Sequence, residues 1–267
     1  MSWVTRVVST EIRKILAYRS EFWVNFVGQT LLQLFIARAL WESLFTVNDT
    51  TQMGGFDLNQ ITLYYLLAPL TMKILMGEGL ATLASEIYNG GLNRYLVWPL
   101  PPVGFKLVTY FTHSCFYMLQ LCVMYTLARF YWVDTPYTSE EFLRLILGLG
   151  YLSFAVLAYF CLQAICDMMA FWAENVWSLA VMLRFTIVFL GGVSLPLSFF
   201  PESIRSVLEL LPFASMASGP MSLILGRSSF TEALHSFLVL LCWLPVMGLV
   251  LRTVWRRGNL RYTGVGM

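Results

Sequence analysis

Long apolar runs constrain this chain more than any other feature. Residues 22–47, 58–85, 106–133, 142–168, 176–199 and 232–255 each hold a stretch that is mostly apolar. A helix needs about 20 such residues to cross the hydrocarbon core of a bilayer. Composition points the same way: 58% of residues are hydrophobic and 12% are charged, whereas a soluble domain carries about 25% charged residues. Half that density leaves too little polar surface to cover a water-facing globule. The expected fold is an all-α membrane protein of six transmembrane helices, forming a single domain over residues 1–267. Several runs exceed the minimum length, so tilted or protruding helices are expected.

Orientation follows from where the basic residues fall. Arg6, Arg13, Lys14 and Arg19 precede the first run. Arg94 and Lys106 lie in the second connection, and Arg252, Arg256, Arg257 and Arg261 close the chain. The connections at 48–57 and 134–141 have no Lys or Arg. Both termini and the second connection are therefore expected in the cytoplasm, an even topology that agrees with six spans. Arg205 and Arg227, between runs five and six, fall on the outside as a mild exception.

Two further segments have patterns of their own. Residues 1–20 read as a basic amphipathic helix lying in the headgroup plane. Val4, Val8, Ile12 and Ile15 recur at helical spacing, with Arg6, Arg13 and Lys14 on the other face. No uninterrupted apolar core of signal-peptide length occurs there. Residues 196–230 are too long for a simple loop. They contain a short helical pattern (Pro201 to Leu211, stopped by Pro212) and a second apolar run too short to span. Short apolar helices between full spans read as re-entrant or interfacial, so a helical hairpin dipping into the outer leaflet is expected here.

Charges inside apolar runs are expensive and usually pair or face an interior. Arg38 and Glu42 are one turn apart and can pair, or snorkel near the outer end of their run. Arg129 and Arg144 are also placed to snorkel. Lys73, Glu78 and Arg184 lie deeper and are the candidate intramembrane polar residues, for a transport pathway or for helix packing. Lys73 and Glu78 are about 140° apart around a 3.6-residue helix, so each wants a partner elsewhere.

Several function classes lack their signatures. There is no GxxxxGKS phosphate loop, no HExxH, no Ser-His-Asp set and no metal-ligand cluster. The five cysteines (115, 122, 161, 166 and 242) sit within apolar runs with no CxxC, and His113 and His235 stand apart. They read as packed or interfacial residues. A net charge of +2 is no nucleic-acid signature. Asn48-Asp49-Thr50 fits a glycosylation sequon of the kind that occurs by chance.

The most informative stretch is EIYNGGLNRYLVWPLPP, residues 86–102, within a cytoplasmic turn expected over 86–105. Helix is expected to run to Tyr88 and to stop at Asn89-Gly90-Gly91, because glycine tolerates the positive φ just past a helix end. Leu92 to Val97 then has room for one or two helical turns, presenting Leu92, Tyr95 and Leu96 with Arg94 between them. Pro99, Pro101 and Pro102 stiffen the return. A rigid, partly apolar knob of this kind fits a groove on a partner protein. The alternative is an interfacial turn anchored by Tyr95 and Trp98 among the headgroups.

This stretch resembles the cytoplasmic turn of the type-two ABC exporter permeases, in a bacterial subfamily with the pattern acidic-x-x-x-Gly-x-Leu-x-x-x-Leu-x-x-Pro. Here the pattern falls on Glu86, Gly90, Leu92, Leu96 and Pro99. AFWAENVWSL (170–179) is similar to that subfamily's short turn between spans four and five, and PLSFFPESIRSVLELLPF (196–213) to its re-entrant helices. The amphipathic N-terminal helix matches as well. The resemblance implies a permease half with both termini inside, in a bacterial cytoplasmic (inner) membrane, that exports an amphipathic cargo. It implies a second permease, identical or homologous, and two separate ATP-binding subunits that carry the ATP and Mg. This chain itself would bind no cofactor. The coupling element would comprise Glu86, Gly90, Gly91, Leu92, Arg94, Tyr95 and Leu96. The competing reading of the residues is an ion-coupled transporter or channel that uses Lys73, Glu78 and Arg184. A lipid-modifying enzyme is disfavoured by the missing catalytic set.

Overall fold

The structure is a computed structural model that describes residues 3–77, 82–97, 101–132 and 138–262. These residues form helices joined by turns, with no β-strand among them and one isolated bridge between Met53 and Phe56. In chain order the helices are α1 (Trp3–Ala17), α2 (Arg19–Val47), α3 (Leu58–Met76), α4 (Thr82–Tyr88), α5 (Asn93–Val97) and α6 (Pro102–Trp132). They are followed by α7 (Ser139–Met168), α8 (Trp177–Leu190), α9 (Glu202–Leu210), α10 (Pro212–Ile224) and α11 (Phe230–Asn259). Capping boxes start α3, α7 and α11: the side chains of Asp57, Thr138 and Ser229 each accept from the amide three residues on. That geometry satisfies amide donors left over at a helix start.

Four helical segments are long and apolar enough to cross a membrane: Phe26–Val47, Pro102–Phe130, Ser139–Phe171 and Phe230–Asn259. They correspond to the first, third, fourth and sixth apolar runs. The bent pair α9–α10, broken by 100° at Leu211, makes a fifth if it counts as one span. The other two runs depart from expectation. The second is not one helix to Ser85, because α3 ends at Met76 and Gly77 takes φ +52, a left-handed value that glycine adopts without a Cβ clash. α3 is largely interior, with Ile61, Leu67, Ile74 and Leu75 fully enclosed. An enclosed helix meets protein on its faces rather than lipid. The fifth run does not continue to Phe199: α8 stops at Leu190 and the chain turns at Gly191-Gly192.

The core lies between α3, α6, α7, α10 and α11. α10 is enclosed on most sides by α7, α11, α3 and α8. Its close approach to α7 depends on two glycines. A Cβ on Gly148 would lie 2.3 Å from Ile224, and one on Gly219 would lie 2.5 Å from the Tyr151 hydroxyl. Small residues that let backbones approach in this way are how helices associate where water supplies no driving force. α1 packs along α6, and α2 touches mainly α3, leaving a long apolar face exposed.

Candidate functional site

The turn joining α3 to α6 is a built structure, and its sequence explains it. α4 ends in a two-bond glycine cap: the Gly91 amide donates to the Glu86 carbonyl (2.7 Å) and the Gly90 amide to that of Ile87 (3.4 Å). Gly90 has φ +68, the left-handed residue that this cap requires. The chain then tightens into α5 through amides of Asn93, Arg94 and Tyr95 donating three residues back. The Glu86 carboxylate is the fastener. It lies 2.7 Å from the Arg94 guanidinium on α5 and 2.9 Å from Lys106 Nζ on α6. One anion thus ties α4, α5 and α6 together from a largely buried position.

The expected exposed Leu-Tyr-Leu patch is not present in that form. Leu92 is 3% exposed and Tyr95 is 5% exposed. Leu92 belongs to the core, and the Tyr95 ring packs against Phe105 with centroids 5.7 Å apart. The Arg94 guanidinium covers the same ring at 5.4 Å. Burial, helped by the adjacent Glu86 carboxylate, pushes the Tyr95 phenol well above its usual range. The reason for the inversion is simple. α5 is only five residues long, so its apolar side chains are needed to hold it to the bundle. The outward face is formed by Asn93, Arg94 and Val97, and the Val97 side chain is 81% exposed. A recess of about 430 Å³ opens beside it, between Glu86, Asn89, the two glycines and Arg94. The side chain of Leu96 and residues Trp98 and Pro99 lie outside the described residues.

A second turn, between α7 and α8, is locked against the first. The buried Asp167 carboxylate accepts the Leu83 amide at 3.0 Å and the Gln163 side-chain amide at 2.7 Å. Tyr88 donates its hydroxyl to the Ala173 carbonyl at 2.9 Å. Phe171 in this second turn packs on Trp255 and Tyr262 at the end of α11. Both turns and the end of the last long helix therefore form one connected surface.

The remaining charged residues distribute differently from expectation. Lys73 lies in the last turn of α3 rather than in mid-helix, where a cation meets the negative end of the helix dipole. Its Nζ sits 5.9 Å from the Phe26 ring. Arg184 is exposed on α8, so these two are not brought together. Glu78 lies outside the described residues. Arg38 does not pair with Glu42 but donates to Asn59 Oδ1 at 3.0 Å. Arg129 does not snorkel: it is buried and grips Glu141 with two nitrogens. Arg144 bonds Glu140 and the Ser228 carbonyl and covers the Phe230 ring. Glu11, on the amphipathic α1, is buried beside Lys14 and 3.4 Å from His113 of α6. Asp167 was the legible omission, because a lone acid at the end of an apolar run must find donors. The Arg129 and Glu11 pairings depend on helix docking that spacing does not reveal. Among the described residues, no three His, Cys, Asp or Glu side chains converge as metal ligands.

Apolar helices of spanning length, packed around interior helices and ending in interlocked turns, define a multi-pass membrane protein. A comparison with known families makes the class specific. The family described as ABC-2 family transporter protein matches residues 30–266. The chain belongs to that family, a family of membrane transport components that work with ABC ATPase subunits. No curated protein and no solved structure gives a significant match.

Proposed function

We propose that this chain is the permease subunit of an ATP-driven exporter and that residues 86–97 are the element through which an ATPase drives it. The carrying observation is the double fastening of that turn. Glu86 binds it to α5 and α6, and Asp167 and Tyr88 bind α4 to the second turn. A linker would need none of this, whereas an element that transmits force must not yield locally. The docking face on this reading is Arg94, Asn93 and Val97 with the neighbouring recess, while Leu92, Tyr95 and Gly90 set its shape.

The chain crosses the membrane six times in this reading, with both termini in the cytoplasm. α3 and α8 serve as interior or shortened passes and α9–α10 as a re-entrant hairpin on the outer side. α1 rests on the inner headgroups and beside the ATPase. Two ATPase subunits supply ATP, Mg and hydrolysis, and a second permease, identical or homologous, completes the pathway in a bacterial inner membrane. Closure of the ATPase dimer rocks the two halves as rigid bodies and releases an amphipathic cargo outward. Lys73 and Arg184, with Glu78, are the proposed polar residues of the pathway.

Purification of the chain from its native membrane in mild detergent, followed by mass spectrometry of what accompanies it, tests the proposal. An ATP-binding subunit in stoichiometric amount is the expected result. A stable, repeatable preparation without one would remove the reading.

A further inference from the structure

At the end of the bundle opposite the two interlocked turns lies a cavity of about 460 Å³. This is within the roughly 300–1,000 Å³ of small-molecule sites. Its walls come from the start of α3, from α9 and α10 and from the first turns of α11. The lining mixes apolar walls such as Phe56, Leu197 and Ala214 with many polar groups: six serines, two arginines and two glutamates.

The charges do not leave a net site for an ion. Arg205 is held 2.7 Å from Glu209 on its own helix. Arg227 donates to Gln60 Oε1 at 2.9 Å and to the Gly55 carbonyl at 2.5 Å, and its guanidinium carbon sits over the Phe56 ring, 4.1 Å from the centroid. It clasps the 53–56 turn to the α10–α11 connection and forms one rim. Glu232 is engaged in the α11 capping box. The arginines and glutamates balance two against two, so a charged guest meets as much repulsion as attraction.

The serines supply what a neutral polar guest wants. Ser215, Ser218 and Ser222 on α10 donate their hydroxyl protons to carbonyls of their own helix at 2.9 Å. Their lone pairs are left as acceptors. Ser198, Ser236 and His235 line the same space with groups able to donate. Donors and acceptors side by side in a charge-balanced space match groups that both give and take hydrogen bonds. Hydroxyls do this; carboxylates, phosphates and ammonium groups do only one.

We infer that this cavity binds a neutral polyhydroxylated head group, such as a sugar, carried on an apolar anchor. The inference rests on the exporter reading and narrows its cargo to a neutral glycosylated or polyol-bearing amphiphile. The probe is octyl β-D-glucoside, with octyl sulfate and octyltrimethylammonium as charged controls of equal chain length. Full-length S218C and S236C chains in lipid nanodiscs are labelled with a water-soluble maleimide, and labelling is read by peptide mass spectrometry. S203C, exposed on α9 away from the cavity, is the reference.

The expected result is at least about a fivefold slowing at both cavity positions with the glucoside alone, and no change at the reference. Equal slowing by all three amphiphiles, slowing by a charged one alone, or no slowing overturns the inference. If one variant misfolds, the other still decides. The purified chain's lipids separate the two sources of such a head group. A glycolipid retained at about one per chain marks a resident; its absence marks passing cargo. The assay needs no ATPase. An ATPase complex without glucoside protection sinks this inference alone, and protection with no ATPase sinks the exporter reading alone.

Discussion

Leu92→Ala and Arg94→Ala separate the two jobs that the 86–97 turn performs, and the structure sets their magnitudes apart. Leu92 is 3% exposed, so truncation removes a nearly complete burial. At about 0.8 kcal/mol per buried methylene, plus a term for the cavity left behind, the loss is about 2–5 kcal/mol. Each 1.4 kcal/mol is about tenfold in an equilibrium. The open population of the turn therefore rises by about 30-fold or more. Arg94 differs: its side chain is 53% exposed. Its removal leaves Glu86 paired with Lys106, so the local loss is about 0–1 kcal/mol, less than roughly tenfold. Hydrogen exchange of the amides of residues 91–97 in the purified permease reads this directly. L92A is expected to exchange fast and R94A close to wild type, while both retain less ATPase on co-purification. Equal protection in L92A and wild type would refute the packing argument. Full ATPase retention in R94A would refute the docking face.

Asp167→Ala should loosen the contact between the two turns, because it leaves the buried Leu83 amide without its acceptor, at about 1–3 kcal/mol; unchanged protease resistance around residue 83 would count against it. Glu141→Gln should destabilise the folded chain by about 1–3 kcal/mol by removing the carboxylate charge that the buried Arg129 grips with two nitrogens, and an unaltered thermal midpoint in detergent would show that this ion pair adds little. Lys73→Ala should impair transport more than assembly. Normal transport in vesicles would reduce Lys73 to a helix-end cation that only packs on Phe26.

Much of this architecture is legible in the residues, and the failures have physical causes. The long helices announce themselves through continuous hydropathy, and α2, α6, α7 and α11 lie where the first, third, fourth and sixth runs place them. Asn89-Gly90-Gly91 marks a helix end because the left-handed cap needs glycine, and Gly90 takes it. Pro201 and Pro212 mark the start and end of a short helix, and α9 fills the space between them. Gly77 also ends α3 at a positive φ, though not in the left-handed helical conformation, and a lone glycine in an apolar run carries no such signature. Leu92 and Tyr95 face inward against expectation, because hydropathy gives a helix an apolar face without saying which way it turns. Arg129 and Glu141 are 12 residues apart on different helices, so only docking brings them together.

The central claim is that the 86–97 turn touches an ATP-binding subunit, and the most direct test is a photo-crosslinker at Val97. That side chain is 81% exposed, so replacing it with benzoylphenylalanine leaves the Leu92–Tyr95 packing intact. Irradiation in native membranes is expected to give an adduct with a separate protein that carries a phosphate-loop sequence. The adduct should be lost when Arg94 is also changed to Glu. An adduct with lipid alone, or with no ATP-binding protein in repeated trials, would contradict the account.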